Sequence, residues 1–340
     1  MDNGFVREAL LQEKLETGVG CRTCERRCEM APGESGWCKS RMNRDGKLVT
    51  LIYGAISSLA VHPIEKKPFH HFHPGTNVLT AGGWACNFAC PWCQNWEVSA
   101  VHSPEERDFA SPERFVDLTR IHGCQGTCIS FNEPTLSLEW SLDVFRLAKE
   151  KGFYNTFVTN GYMTPEALAQ LADAGLDAMN IDIKGDAVSL EKIYKDIDIE
   201  KIWAVCRLAL SYGIHLELTT LVIPTVNDRE TALRSIAGRI ASDLGTEVPW
   251  HVNRYEPTHQ FVEEATPIGK LEQAWQIGKD AGLKFVYIGN THGHNTADTY
   301  CPGCGERLIR RSGDEVVMNL IKNDRCSECN CEVAGVWGRT

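Results

Sequence analysis

The sequence predicts an α/β fold in which parallel strands form a full or partial TIM-type (β/α) barrel, with a small cysteine-rich metal-binding lobe at each end of the chain. Three observations carry this reading. From Asn77 onward, short apolar, β-branched runs alternate with amphipathic stretches long enough to cross over to the next parallel strand. Polar residues recur just past the ends of those runs, where the working face of such a barrel lies. Fifteen cysteines fall mostly into three groups, one before the barrel pattern, one after its first run and one beyond its last.

Length and composition fit this architecture. A chain of 340 residues holds one large α/β domain and small appendages. Hydrophobic residues at 43% and charged residues at 24% belong to a protein with a real core, not to a disordered one. We therefore expect an N-terminal lobe over 1–72, the barrel over 73–291 and a C-terminal zinc-ribbon or rubredoxin-like lobe over 292–340.

The N-terminal lobe is polar and turn-rich apart from a helix-like opening, Val6 to Leu15. Strands are expected near Asn77–Ala81, Gly126–Phe131, Tyr154–Thr159, Ala178–Ile183, His215–Val222, Pro249–Asn253 and Lys284–Ile288. Helical stretches include Leu136–Lys149, Pro165–Ala174 and Glu191–Tyr212. The strand ends carry Asn132-Glu133-Pro134, Asn160-Gly161, Asp182-Ile183-Lys184, Pro224 with Asn227-Asp228, and His251 with Arg254. Polar groups buried in a strand pattern cost about 1–3 kcal/mol each unless paired, so their recurrence in one layer argues for a shared task.

Charge narrows the partners. With 45 acidic against 35 basic side chains the net charge is -10, so no global field draws the chain to nucleic acid or an anionic membrane. The opening Met1-Asp2-Asn3-Gly4-Phe5 has no basic region followed by an apolar core, and a cytoplasmic protein is expected. In a reduced compartment, clustered thiols point to metal rather than to disulfides.

Cys86, Cys90 and Cys93 place three thiolates in one short loop directly after the first barrel strand. Three is the informative number: a structural zinc site takes four protein ligands, whereas a cubane held by three thiolates keeps one iron open for another molecule. The CxxxCxxC spacing, the strand before it and Trp92 before the last cysteine resemble the radical S-adenosylmethionine (radical SAM) superfamily. Pyruvate formate-lyase activating enzymes carry a Gly-Gly-Glu-Pro run after their second strand. Here Ser130-Phe131-Asn132-Glu133-Pro134 stands in that place without the glycine pair. Thr159-Asn160-Gly161, Asp182-x-Lys184, Val222-Ile223-Pro224 with Asn227-Asp228, and His251 follow the activating-enzyme pattern in order. The run Cys21-x2-Cys24-x3-Cys28, the segment His62-Pro63-Ile64-Glu65-Lys66-Lys67-Pro68 and Tyr287-Ile288-Gly289-Asn290 further resemble the AmmeMemoRadiSam-system radical SAM proteins.

The resemblance implies a [4Fe–4S] cluster on Cys86, Cys90 and Cys93, reductive cleavage of S-adenosylmethionine to a 5′-deoxyadenosyl radical, and an external electron donor such as ferredoxin or flavodoxin. It implies cosubstrate contacts from Asn132, Glu133, Asn160, Asp182, Lys184 and His251, with Trp92 and Gln94 flanking the adenine. A protein or peptide substrate, by glycyl-radical activation or side-chain modification, is the leading expectation. Against glycyl-radical activation specifically, no ferredoxin-like insertion follows Cys93, which keeps a small-molecule substrate open. The competing class is a non-catalytic zinc-rich binding module.

The other cysteines divide by spacing. Cys301-x2-Cys304 and Cys326-x2-Cys329 are two tight knuckles at zinc-ribbon separation and point to zinc, or to iron in a rubredoxin-like site, with Cys331 spare. Cys21, Cys24, Cys28 and Cys38 also number four, but in irregular loops, so a mononuclear metal, an accessory cluster and reduced structural thiols all stay open. His62, His70, His71 and His73 are expected to pack and hydrogen-bond around the barrel entrance rather than to ligate metal, and Cys124 and Cys128 to be buried, inert thiols.

Overall fold

The computed structural model describes residues 4–100, 104–105, 108–194, 196–291 and 297–338. Six short strands form the N-terminal lobe: β1 (Arg7–Glu8), β2 (Gln12–Lys14), β3 (Val19–Cys21), β4 (Glu29–Met30), β5 (Arg41–Arg44) and β6 (Lys47–Thr50). They pair as two three-stranded sheets, β1-β6-β5 and β2-β3-β4. The helix expected over Val6–Leu15 is therefore two strands. Its backbone is claimed from outside: Arg7 and Glu8 pair with Thr50 and Val49, Gln12 pairs with Cys21, and the Leu10 N–H donates to Glu139 Oε1 at 3.1 Å. Tertiary partners here override a favourable helical propensity.

The central sheet has eight strands in the order β14-β13-β12-β11-β10-β9-β8-β7. They are β7 (Ser58–Pro63), β8 (Asn77–Gly82), β9 (Gly126–Ser130), β10 (Tyr154–Thr159), β11 (Ala178–Asp182), β12 (His215–Val222), β13 (Trp250–Arg254) and β14 (Val286–Gly289). Seven of the eight match the strands read from the sequence to within about two residues. The pairs β8–β9, β9–β10, β12–β13 and β13–β14 are parallel, and β9 is buried along its whole length, as a strand covered on both faces must be.

Among the described residues, the α-helices that accompany the sheet are α1 (Trp96–Ala100), α2 (Pro112–Ile121), α3 (Leu138–Glu150), α4 (Pro165–Ala174), α5 (Ala187–Ile193), α6 (Ile199–Ser211), α7 (Glu230–Arg239) and α8 (Ile268–Asp280). Their starts are chemically marked. Ser111, Thr164 and Asp186 each accept an N–H of the first turn, and Pro112 and Pro165 occupy first-turn positions whose N–H is spare. The stretch expected as one helix over Glu191–Tyr212 is broken between α5 and α6, because the Asp198 carboxylate takes the Glu200 N–H at 2.9 Å and starts a new helix.

The chain divides into two compact units, one of residues 1–62, 77–179 and 201–214, the other of 63–76, 180–200 and 215–340. In the first unit, Gly126 permits β9 and β10 to pack closely, since a Cβ there would lie 2.1 Å from the Tyr154 ring. Asn155 knits the same region, donating to the carbonyls of Phe145 and Gly175 and accepting from Thr127. In the second unit, Phe285, Tyr287, Leu308, Ile309 and Trp337 form a core with Cys301 and Cys326, over which the hairpins of β15 (Thr299–Tyr300), β16 (Arg307–Ser312), β17 (Glu315–Asn319), β18 (Ile321–Lys322) and β19 (Arg325–Cys326) are laid. The boundary expected at 292 falls outside the described residues.

Candidate active site and metal centres

The loop that follows β8 carries Cys86, Cys90 and Cys93, all half-buried thiols. Its shape is fixed from beneath by one side chain. Asn132, buried at the end of β9, accepts the Gly83 N–H at 2.9 Å and donates to the Ala85 carbonyl at 2.7 Å, so it clamps both sides of Trp84. The missing glycine pair has a structural counterpart here. Phe131 takes φ +71°, the left-handed conformation that favours glycine, and its carbonyl accepts from Asn95 at 2.7 Å. The ring is accommodated because Gly82 lacks a Cβ, which would stand 3.0 Å from Phe131 Cδ2.

Glu133 sits below this loop, 2% exposed. Oε1 accepts from the Thr135 N–H at 3.1 Å, the Thr135 hydroxyl at 2.5 Å and the Thr159 hydroxyl at 2.6 Å, and Oε2 from the Asn160 N–H at 2.8 Å. Burial raises its pKa against the pull of these donors. Asn160 donates to Asn87 Oδ1 at 2.7 Å and accepts from the Tyr162 N–H at 2.9 Å. Thus Asn132, Glu133 and Asn160 form one hydrogen-bonded framework that ends on Asn87, beside Cys86. Trp92 is 4% exposed, while Gln94 is exposed.

Among the sulfurs themselves, N–H groups and hydroxyls are already aimed at the loop. Cys86 Sγ accepts from the Phe88 N–H at 3.4 Å, and Cys93 Sγ lies 3.7 Å from Ser99 Oγ. Among the described residues, Cys301, Cys304, Cys326 and Cys329 are the set of three or more whose ligand atoms all come within 4.8 Å of one another. The three thiols of the loop lie outside that set.

In the other unit, Lys184 Nζ meets Asp182 Oδ2 at 2.5 Å, while Asp182 Oδ1 is buried with no hydrogen-bond partner among the described residues. Asn227, also from the sequence pattern, holds the turn after β12 by accepting the Ile223 N–H at 2.7 Å and donating to the Lys184 carbonyl at 2.9 Å. His251 is 2% exposed and lies 2.6 Å from Glu217 Oε2. Sequence reasoning missed Glu217. Its two oxygens also take the His70 and His71 N–H groups at 3.0 and 2.7 Å and face His215 at 3.1 Å. Burial opposes ionisation of Glu217, but the hydrogen bonds from His215 and His251 outweigh it and hold the carboxyl well below its usual range. The signal was a lone acid inside the apolar, β-branched run His215–Val222.

His71 makes the packing contacts expected of it: its ring nitrogens lie 2.6 Å from the Ala334 carbonyl and 2.6 Å from the Tyr287 hydroxyl. At the C-terminal knuckles, Cys301 Sγ stands 3.5 Å from Cys329 Sγ and Cys304 Sγ 3.8 Å from Cys326 Sγ. Four thiolates at about 2.3 Å from one tetrahedral ion lie at such separations, so this set can hold one metal ion. Burial opposes it, yet the N–H groups of Cys304 and Gly303 and the neighbouring thiols bring Cys301 down to about 7.

The fourth cysteine group lines a separate pocket of the N-terminal lobe. Cys21, Cys24 and Cys38 are buried, Cys28 is half-buried, and all four face the same space. Burial raises the Cys24 thiol, with Cys21 and Cys38 adding to the shift.

Comparison with known proteins decides what the three-cysteine loop belongs to. Residues 84–235 match the model of the radical SAM superfamily. A protein of Methanocaldococcus jannaschii, MJ0808, is 39% identical over 95% of this chain and 98% of its own length. The chain belongs to the radical SAM superfamily. A second M. jannaschii relative, the putative glycyl-radical enzyme activating enzyme MJ1227, is 28% identical over 58% of this chain and 82% of its own. Among solved structures, a domain of pyruvate-formate lyase-activating enzyme from Bacteroides vulgatus is 21% identical, with a TM-score of 0.41 over 48% of this chain and 99% of that one. Radical SAM membership implies S-adenosylmethionine and an iron–sulfur cluster. Among the described residues, no helix is long and apolar enough to cross a membrane.

Proposed function

We propose that this radical SAM protein reductively cleaves S-adenosylmethionine at a [4Fe–4S] cluster held by Cys86, Cys90 and Cys93, and acts on a protein or peptide partner. The observation that carries the reading is the three-thiolate loop after β8, whose backbone is clamped at Gly83 and Ala85 by Asn132. When bound, the cluster supplies a low-potential electron and one open iron for the amino and carboxylate groups of the cosubstrate. The protein's contribution is position. Asn132 fixes the loop at Gly83 and Ala85, Glu133 fixes Thr159 and Asn160, and Asn160 fixes Asn87 next to the first cysteine. Trp92 is buried within the loop.

The assignment of Asp182 and Lys184 to the cosubstrate rests on the resemblance and on Asp182 Oδ1, a buried acceptor that the protein itself leaves unmatched. That of Gln94 and His251 rests on the resemblance alone, since His251 is engaged with Glu217. A macromolecular substrate is supported by the relative named as a putative glycyl-radical enzyme activating enzyme. Zinc, or a single iron, is proposed for the C-terminal knuckles, and a ferredoxin- or flavodoxin-type protein for the electron donor in a reducing cytoplasm.

The test is turnover. Anaerobically prepared protein given S-adenosylmethionine and dithionite should form 5′-deoxyadenosine, and comparison of the cellular proteome with and without the enzyme should reveal a modified peptide. A product pool in which only a small molecule changes would overturn the protein-substrate reading. Absence of 5′-deoxyadenosine from iron-replete protein would overturn the activity.

A further inference from the structure

The four cysteines of the N-terminal lobe come from irregular loops, and their sequence spacing leaves their role open. The structure brings them to one pocket, lined by Cys21, Cys24, Cys28 and Cys38 with Met30 and Leu136. We propose that this pocket holds an auxiliary iron–sulfur cluster ligated by all four thiolates, separate from the cluster of the radical SAM loop. The inference does not rest on that loop's function.

Three observations support it. First, the fold brings four thiols from separate turns to the wall of one pocket, three of them buried, and thiols gathered in such a number bind metal rather than stay free. Among the described residues they do not form the tight set seen at the C-terminal knuckles. A cluster that gives each thiolate its own iron takes a wider set of ligands than a single ion does.

Second, two buried donors on the pocket wall lack protein partners. The Nε of Arg41 and the hydroxyl of Thr23 are both buried, both residues line the pocket, and neither atom has a hydrogen-bond partner among the described residues. Leaving a buried donor unmatched costs about 1–3 kcal/mol, so a native pocket that does so twice expects acceptors from its occupant. Bridging sulfides are such acceptors. Two of the thiols already serve local donors: the Trp37 N–H points to Cys28 Sγ at 3.4 Å and the Ser40 hydroxyl lies 3.2 Å from Cys38 Sγ.

Third, two guanidinium groups, those of Arg26 and Arg41, line the pocket. Arg41 is 1% exposed and is locked in a two-pronged pair with Glu139, at 2.8 and 2.6 Å, which keeps its remaining Nε edge in a fixed direction.

The site also touches the radical SAM loop. Arg26 Nε donates to the Asn87 carbonyl at 3.0 Å, and Asn87 Oδ1 lies 3.9 Å from Cys86 Sγ. Asn87 therefore joins the wall of the four-cysteine pocket to the first cysteine of the loop.

The experiment removes the first cluster and asks what stays. The full chain carrying Cys86→Ala, Cys90→Ala and Cys93→Ala together is purified and reconstituted without oxygen, then analysed for iron, acid-labile sulfide and zinc and by Mössbauer spectroscopy. The inference expects two to four irons per chain with matching sulfide, the complement of a four-cysteine cluster. A rubredoxin-like iron in the C-terminal knuckles carries no sulfide and so is distinguished. Zinc in place of iron at the N-terminal set, or a triple variant devoid of sulfide, would overturn it. Should the triple variant prove insoluble, Cys28→Ala, which alters the least buried of the four, provides the second reading in an otherwise natural chain. It should lower the sulfide per chain by two to four, and an unchanged sulfide content would overturn the inference.

Discussion

Both oxygens of Glu133 are spent on protein donors, and this changes what a substitution there should do. An isosteric glutamine offers an NH2 group where the buried carboxylate now accepts, so one of the Asn160 N–H or the Thr135 and Thr159 hydroxyls loses its partner. Glu133→Gln should cost about 1–3 kcal/mol in urea unfolding. It should also loosen Asn87 through Asn160, seen as a lower iron content after purification. Some residues are legible from the sequence alone: Cys86, Cys90 and Cys93 stand out because three thiols in one short loop have few other uses. Glu217 was not, because its role depends on His70, His71, His215 and His251, which come from three separate stretches of chain. The role of Phe131 was equally hidden, since nothing in its side chain reports a left-handed backbone.

At the scale of elements, helix α4 ties the N-terminal lobe to the sheet. The Thr164 hydroxyl accepts the Ala167 N–H at 3.1 Å as the helix cap and donates to the Arg22 carbonyl at 2.7 Å, close to the four-cysteine pocket. Thr164→Ala should therefore lose about 1–2 kcal/mol, at the upper end for a cap, in denaturant unfolding. Strand positions were well legible, because buried parallel strands of short β-branched residues between turn signals have few competing readings. Failures came where a local preference met a stronger partner. Val6–Leu15 has helix-forming residues, yet its N–H and C=O groups pair with β6 and β3. Glu191–Tyr212 keeps its amphipathic period across Asp196–Asp198, where a capping carboxylate interrupts the backbone without disturbing the pattern.

For the molecule as a whole, buried titratable groups set how stability follows pH. Burial lowers His71 from 6.5 to about 3 and lowers His70 as well, so between those values the unfolded state binds protons that the native state refuses. Stability contributed by these rings is present above 6.5 and is lost as pH falls. Glu65 acts in the opposite sense: burial, against Arg311, raises it from 4.5 to about 7, so the native state holds an extra proton in that window. Glu65→Gln removes the opposing group, and between pH 6.5 and 5 its stability should fall more steeply than that of the natural chain by about 1.4 kcal/mol per pH unit. Urea midpoints measured across that range check the slope.

Function rests on three thiolates that hold a cluster with one iron left open. The most direct measurement is electron paramagnetic resonance of dithionite-reduced, oxygen-free protein with and without S-adenosylmethionine, beside the Cys90→Ala variant. The claim predicts a reduced [4Fe–4S] signal that shifts when S-adenosylmethionine is added, and a variant that has lost about four irons and the shift together. A signal indifferent to S-adenosylmethionine, or iron content unchanged by Cys90→Ala, would contradict it.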